Sequence, residues 1–575
     1  MNNVSPNTIY YNSFEIFDSQ WIDENAVSND YDYESNEGVI VLKDGVTEIA
    51  DSAFADSISF RKVTIPSCIT KIGPGAFAGS GIECVTIPDS VEEICDGAFF
   101  QCFSLTSIFI PRSVEKIGDE VFGGCTDLTS IVVDKSNTVY DSRYDCNAII
   151  ETQTNKLIVG CMNTVIPNDI SEIEAVAFYC CDNLTSAVIP YSVRRIGDSA
   201  FSGTGITSLY IPNSVTRIGE AAFCGCSNLN SIEVDTNNVV YESPNNCNAI
   251  IETRTQQLIL GCANTIIPNY VKSIAPGAFC DCERLEYIDL PESIESIGKY
   301  AFSACTSLTS VKIPINITEI EDGTFNKCSR LASVKIHDSI TKIGVSAFYD
   351  CGLTEIKIPA TVFEIADSAF IGCGGLKSIV VDDRNPYYDS RENCNALIET
   401  QTGILLTGSE NSVIPDSVTE IATGAFMKCS GLKTINIPDS VTKIGEMAFY
   451  CCEGLTSINI PDSVTEIGQD AFNDCFGLTS VLLPNSLSEI SDNLFWQCKS
   501  LKTIVIPDSV KRIGKTAFWG CTGLETVIIP YSVTEIGEDI FAECDSLREI
   551  VVPRGMRHKF DELLDENLWS MIVER

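Results

Sequence analysis

Ile460 to Leu482, IPDSVTEIGQDAFNDCFGLTSVL, decides how this chain must be read, because the same 23-residue sentence recurs from one end to the other. Counted from the proline of each unit, repeats begin at Lys43, Pro66, Pro88 and Pro111 and continue to Pro507 and Pro530, with Lys43 and His337 standing in place of proline. The spacing is 23 or 22 residues, except for three gaps of 56. Six residues after the start stands Ile in all eighteen units, from Ile49 to Ile536, and eleven after it stands Phe, from Phe54 to Phe541. Stacked coils place equivalent residues about 4.8 Å apart, so each inward side chain must fit its own copy above and below. Ile and Phe are therefore expected to form internal ladders.

Within the unit, Leu455 to Ile460, LTSINI, alternates apolar and polar residues and predicts a short strand with Ile458 and Ile460 facing the core. Pro461 ends it, having no N–H for the next ladder bond. The half-unit IGQDAFNDC is expected to return as a bend with a short helical or 3₁₀ turn, with Gly468 supplying tight backbone geometry. The pattern LxxIxIPxSVxxIGxxAFxxCxx resembles the BspA-type, or Treponema-type, leucine-rich repeat over residues 37–552. The resemblance implies a curved leucine-rich-repeat solenoid with a concave parallel β-sheet, often belonging to surface or secreted proteins that bind other proteins.

The three long units each carry an N-A-I/L-I-E-T run, a polar turn and a second apolar run, which predicts β-hairpin inserts at about 133–166, 234–267 and 381–414. Residues 1–36 are acidic and lack the period, so they are expected to be an arm or partial cap; Gly38 to Leu42 reads as the first strand. Residues 553–575, with Phe560, Leu563, Leu564, Leu568, Met571 and Ile572 at helical spacing, are expected to form a C-terminal capping helix.

The net charge of −41 opposes binding to nucleic acid or to anionic membrane surfaces, and no run is apolar enough to span a bilayer. The first residues have no basic and apolar regions of a secretory signal, and the 27 cysteines suit a reducing compartment, so the location expected is cytoplasmic; the resemblance implies the alternative, cell surface or secreted. Fifteen cysteines occupy one register, from Cys102 to Cys544, and are expected to be buried free thiols. Cys224 and Cys226 should stack on Cys280 and Cys282 and make a weak candidate for zinc. The two histidines, His337 and His558, are expected on the surface. They are too few for a His-based catalytic or metal centre. Gly514-Lys515-Thr516 mimics the end of a phosphate loop but lacks its first glycine. No enzyme activity and no cofactor are expected.

The outward residue of each strand defines a candidate binding row. It has an apolar stretch with Phe109, Val132, Val188 and Tyr210, a ladder of Lys312, Lys335 and Lys357, and a second apolar stretch with Leu482, Val505, Ile528 and Val551. Exposed apolar rows suit a protein partner, and the lysines suit an acidic segment of it. The expectation is a monomeric interaction scaffold; the alternative is an adhesin or glycan-binding protein.

Overall fold

The computed structural model describes residues 7–12, 20–32 and 36–575. It divides into two compact units, residues 1–282 and 283–575. In each unit the chain winds as a parallel β-solenoid with a turn about every 23 residues and very little helix.

The coil beginning at Ile460 shows how the repeat folds. Ser457–Asn459 pairs in parallel with Ser480–Leu482 of the next coil, Ile458 opposite Val481 and Asn459 opposite Leu482. After the proline corner a second ladder forms from two-residue strands, Lys443–Ile444 beside Glu466–Ile467. The half-unit that follows is not a helical turn. Asn473, Cys475 and Leu478 donate N–H bonds to residues three positions earlier, but Asp470 and Asp474 stand in the left-handed region (φ 57° each), which interrupts helical winding. The backbone is satisfied between coils instead: Phe449 N–H donates to Ala471 O at 2.8 Å. Gly468 does not serve a left-handed turn; a Cβ there would lie 2.4 Å from the backbone nitrogen of Glu446 in the preceding coil. The repeat glycine thus permits close approach of neighbouring backbones.

The expected ladders are present within each unit. Phe54, Phe77, Phe99 and Phe122 stack at 5.1–5.5 Å between centroids, and Phe426 through Phe541 stack at 5.1–5.7 Å. The cysteine row is buried and unbridged as expected, with Cys544 half-buried. It also has a polar role: the thiols of Cys452, Cys475 and Cys498 donate to the carbonyls of Phe426, Phe449 and Phe472 in preceding coils at 3.1–3.2 Å.

Each insert is a β-hairpin. Ala148–Glu151 pairs antiparallel with Lys156–Gly160, which in turn joins the two-residue ladder in parallel, Leu157 opposite Ile173. The hairpin therefore supplies the next rung to that ladder. At its base, Tyr140 Oη accepts the Ile117 N–H at 3.0 Å, and Tyr241 and Tyr388 do the same for Ile218 and Ile365.

The two ends are built as follows. Of the arm or partial cap expected at 1–36, residues 1–6, 13–19 and 33–35 lie outside the described residues; of the remainder, Gln20–Asn25 is a short helix and Thr8–Asn12 and Ala26–Asp32 join a sheet. Thr8–Asn12 lies between Glu37–Leu42 and Lys62–Thr64, antiparallel to both, and Ala26–Asp32 forms the edge. Ile9 and Tyr11 are buried, with the Tyr11 ring 4.9 Å from Phe60. At the other end the expected single helix is divided into Arg557–Leu563, a 3₁₀ turn Glu566–Met571 and a strand, Ile572–Glu574, that pairs in parallel with Glu549–Val552. Phe560, Leu564, Leu568 and Ile572 are buried against the last coils, so apolar spacing marked the packing residues but not the backbone conformation.

Candidate partner-binding face

The strand alternation that buries Ile458 and Ile460 turns the residue between them outward, and the same holds along the row. In residues 1–282, Phe109, Val132, Val188 and Tyr210 are exposed; in residues 283–575, so are Lys312, Lys335, Lys357, Val380, Leu482, Val505 and Ile528. Val551 is not: beside the strand Ile572–Glu574, where it pairs with Val573, it is only 7% exposed. Val165 (73%), Ile266 (71%) and Val413 (68%), not singled out from the sequence, are also exposed. Their signal in the sequence is the residue–Ile–Pro ending that closes each insert.

The lysines are not equivalent. Lys312 Nζ is held by Glu292 Oε1 at 2.6 Å, which raises its pKa. Lys335 and Lys357 form no ion pair among the described residues, and both line a groove of about 970 Å³. Exposed Ile315 and Val380 line the same groove, as do Arg384, Asp382, Asp338 and Glu355. Arg384 binds Asp382 through its guanidinium, 2.9 Å at the closer ion-pair contact, and through its backbone N–H; together they hold that carboxyl at about 2. Apolar surface, two ammonium groups without an ion pair among the described residues and the carboxylates of Asp338, Glu355 and Asp382 thus meet in one concavity.

His337 stands at the base of the groove and is buried, contrary to the surface position expected from its type. Its Nδ1 accepts the Ser339 N–H at 3.2 Å, leaving the proton on Nε2 to be donated to Pro314 O at 3.0 Å. In place of the corner proline it makes bonds to two backbone groups. His558 is exposed, as expected. In the apolar stretch of the first unit, the Tyr210 hydroxyl is occupied by Asp235 Oδ2 at 3.0 Å and by Tyr191 Oη at 3.2 Å.

The four-cysteine cluster resolves differently from its sequence reading. Cys226 and Cys282 point into the core, where Cys226 Sγ bonds Phe201 O at 3.2 Å. Cys224 and Cys280 instead lie together with Asp281 at the half-buried outer side of the turns. Among the described residues no helix is long and apolar enough to cross a membrane.

Residues 25–148, 158–250, 256–377, 407–525 and 442–564 match the family described as BspA type leucine rich repeat region. Among solved structures, a leucine rich cell surface protein from Faecalibacterium prausnitzii A2-165 is 27% identical, with 74% of this chain and 95% of that one covered at a TM-score of 0.45. A leucine-rich repeat protein from Bacteroides ovatus ATCC 8483 is 24% identical, covering 84% and 88% at a TM-score of 0.27. The leucine rich repeat protein of T. pallidum is 21% identical, covering 45% and 88% at 0.22. No curated protein matches the chain. By the extent of the family match, the chain belongs to the BspA-type leucine-rich repeat family.

Proposed function

We propose that this repeat protein is a non-enzymatic interaction scaffold that takes a protein partner along its strand-bearing face. The partner contributes an acidic segment with apolar residues to the groove between Ile315 and Arg384. The observation that carries this reading is the coincidence of Lys335 and Lys357, without ion pairs among the described residues, with exposed Ile315 and Val380 in one groove. A protein interface joins apolar anchors to a few placed charges, and exposed ammonium groups without an ion pair among the described residues favour a carboxylate-bearing partner in a chain otherwise strongly acidic. A labelled peptide of glutamates interspersed with leucines is the probe. Binding should be saturable, weaken with salt and fall when Lys335→Glu and Lys357→Glu are combined. Binding equal in wild type and the double variant, with both folded by circular dichroism, overturns the acidic-segment reading.

A further inference from the structure

The turns of two neighbouring coils in residues 1–282 bring Cys224, Cys280 and Asp281 together. Each of the three is half-buried, so solvent reaches the cluster. The two sulfurs and a carboxylate oxygen all lie within 4.8 Å of one another, and Cys280 Sγ is 3.3 Å from Asp281 Oδ2. A tetrahedral zinc ion with Zn–S of about 2.3 Å and Zn–O of about 2.1 Å needs edges of roughly 3.8 Å between sulfurs and 3.6 Å from sulfur to oxygen. The three groups are already near those separations. Gly277 and Gly225, both in the left-handed region (φ 63° and 77°), turn the backbone beside the cluster, where a Cβ would come within 3.7 Å of Cys224 Sγ and 3.5 Å of Asp281 Oδ2.

We propose that Cys224, Cys280 and Asp281 bind one thiophilic divalent cation, Zn²⁺ being the physiological choice, with water completing the fourth position. The position in the repeat sets this cluster apart. Thiols of the core row such as Cys226, Cys452 and Cys475 are buried and bond carbonyls of preceding coils, whereas Cys224 and Cys280 occupy the outward register directly after Phe223 and Phe279. Elsewhere in that face, Cys451 donates to Asp474 Oδ2 at 3.7 Å with one thiol only. Binding exchanges two thiol protons for the cation, both released to solvent, and leaves a bis-thiolate carboxylate site with no redox change.

The test uses the full chain, stripped of metal and kept reduced. Titration with Co²⁺, followed by displacement with Zn²⁺ against a chromophoric chelator, reads site number and affinity. The wild type should show thiolate-to-cobalt charge transfer saturating at one equivalent. Cys224→Ser and Cys280→Ser should each abolish that band, Asp281→Asn should weaken binding, and Cys451→Ser should leave both unchanged. Absence of the band in the wild type overturns the proposal. So does its persistence in a folded variant lacking both Cys224 and Cys280. These results do not depend on the fate of the lysine groove.

Discussion

Gly160 lies against the ring of Phe178: a Cβ on Gly160 would stand 2.0 Å from Phe178 Cε1. Its N–H donates to Ala177 O at 2.8 Å, the bond that Phe449 makes to Ala471 in an ordinary coil. Glycine thus occupies the place of a ladder phenylalanine, and the ring of the next coil fills the space. Gly261 with Phe279 and Gly408 with Phe426 repeat the relationship at 2.1 and 2.0 Å. Gly160→Ala should therefore destabilise the first insert by about 1–3 kcal/mol, the usual cost of overpacking a filled core. Hydrogen exchange of Ile173 and Ile196 amides should accelerate, while that of residues beyond 283 should not. Unaltered exchange throughout would show that the ring moves aside freely.

Phe472 sits between Phe449 and Phe495 at 5.3 and 5.6 Å and is fully buried. Phe472→Ala should cost about 3–5 kcal/mol, as for buried aromatic truncations. Phe541→Ala, with one ring partner in the stack, should cost less. Denaturant midpoints of the two variants check the order, and equal losses would contradict the nearest-neighbour picture.

The thiol row makes stability sensitive to alkali. Burial raises Cys373 and Cys429 to about 12 from an ordinary 9.0. The folded state keeps these protons after the unfolded chain has lost its own. Their contribution is thus complete below pH 9 and is lost as pH rises from about 9 to 12, at about 1.4 kcal/mol per pH unit per thiol. Thermal midpoints should fall steeply above pH 9 in reducing buffer, and Cys429→Ala should flatten the fall even where it lowers the midpoint at pH 7. A slope indifferent to that substitution would point to other groups.

Tyr241 Oη accepts the Ile218 N–H at 2.9 Å where the hairpin interrupts the two-residue ladder. Tyr241→Phe leaves that donor without its partner and should cost about 1–3 kcal/mol. Faster exchange of the Ile218 amide, measured by mass spectrometry or NMR, is the direct readout.

Charge reversal should separate the three lysines. Lys335→Glu and Lys357→Glu each should weaken the acidic probe several-fold. Lys312→Glu should matter less, because Glu292 already occupies that ammonium. A larger effect at Lys312 would move the binding region away from the groove.

The outward row was legible because strand alternation is a backbone property: once Ile458 and Ile460 face in, Asn459 must face out. Lys335 and Lys357 were legible as exposed cations for the same reason. Their difference from Lys312 was not, since it rests on Glu292, twenty residues away and brought beside it by nearly one full turn of the winding. The choice of Asp281 over Cys226 and Cys282 as neighbour to Cys224 and Cys280 was equally hidden. It rests on which side chains the stacked turns leave at the half-buried outer side and which they bury.

Taken alone, the sequence determined the coil. An Ile and a Phe repeated in one register can be buried together only by stacking like on like, so period, ladders and hairpin inserts followed from the order of residues. The ends and the sites were decided by tertiary structure. Thr8–Asn12 lies antiparallel between two strands, and Ile572–Glu574 extends the last ladder, because exposed strand edges take up whatever backbone reaches them. Which outward side chains are engaged and which stand open depends on neighbours brought close by winding, and that proximity exists only after the coils have stacked.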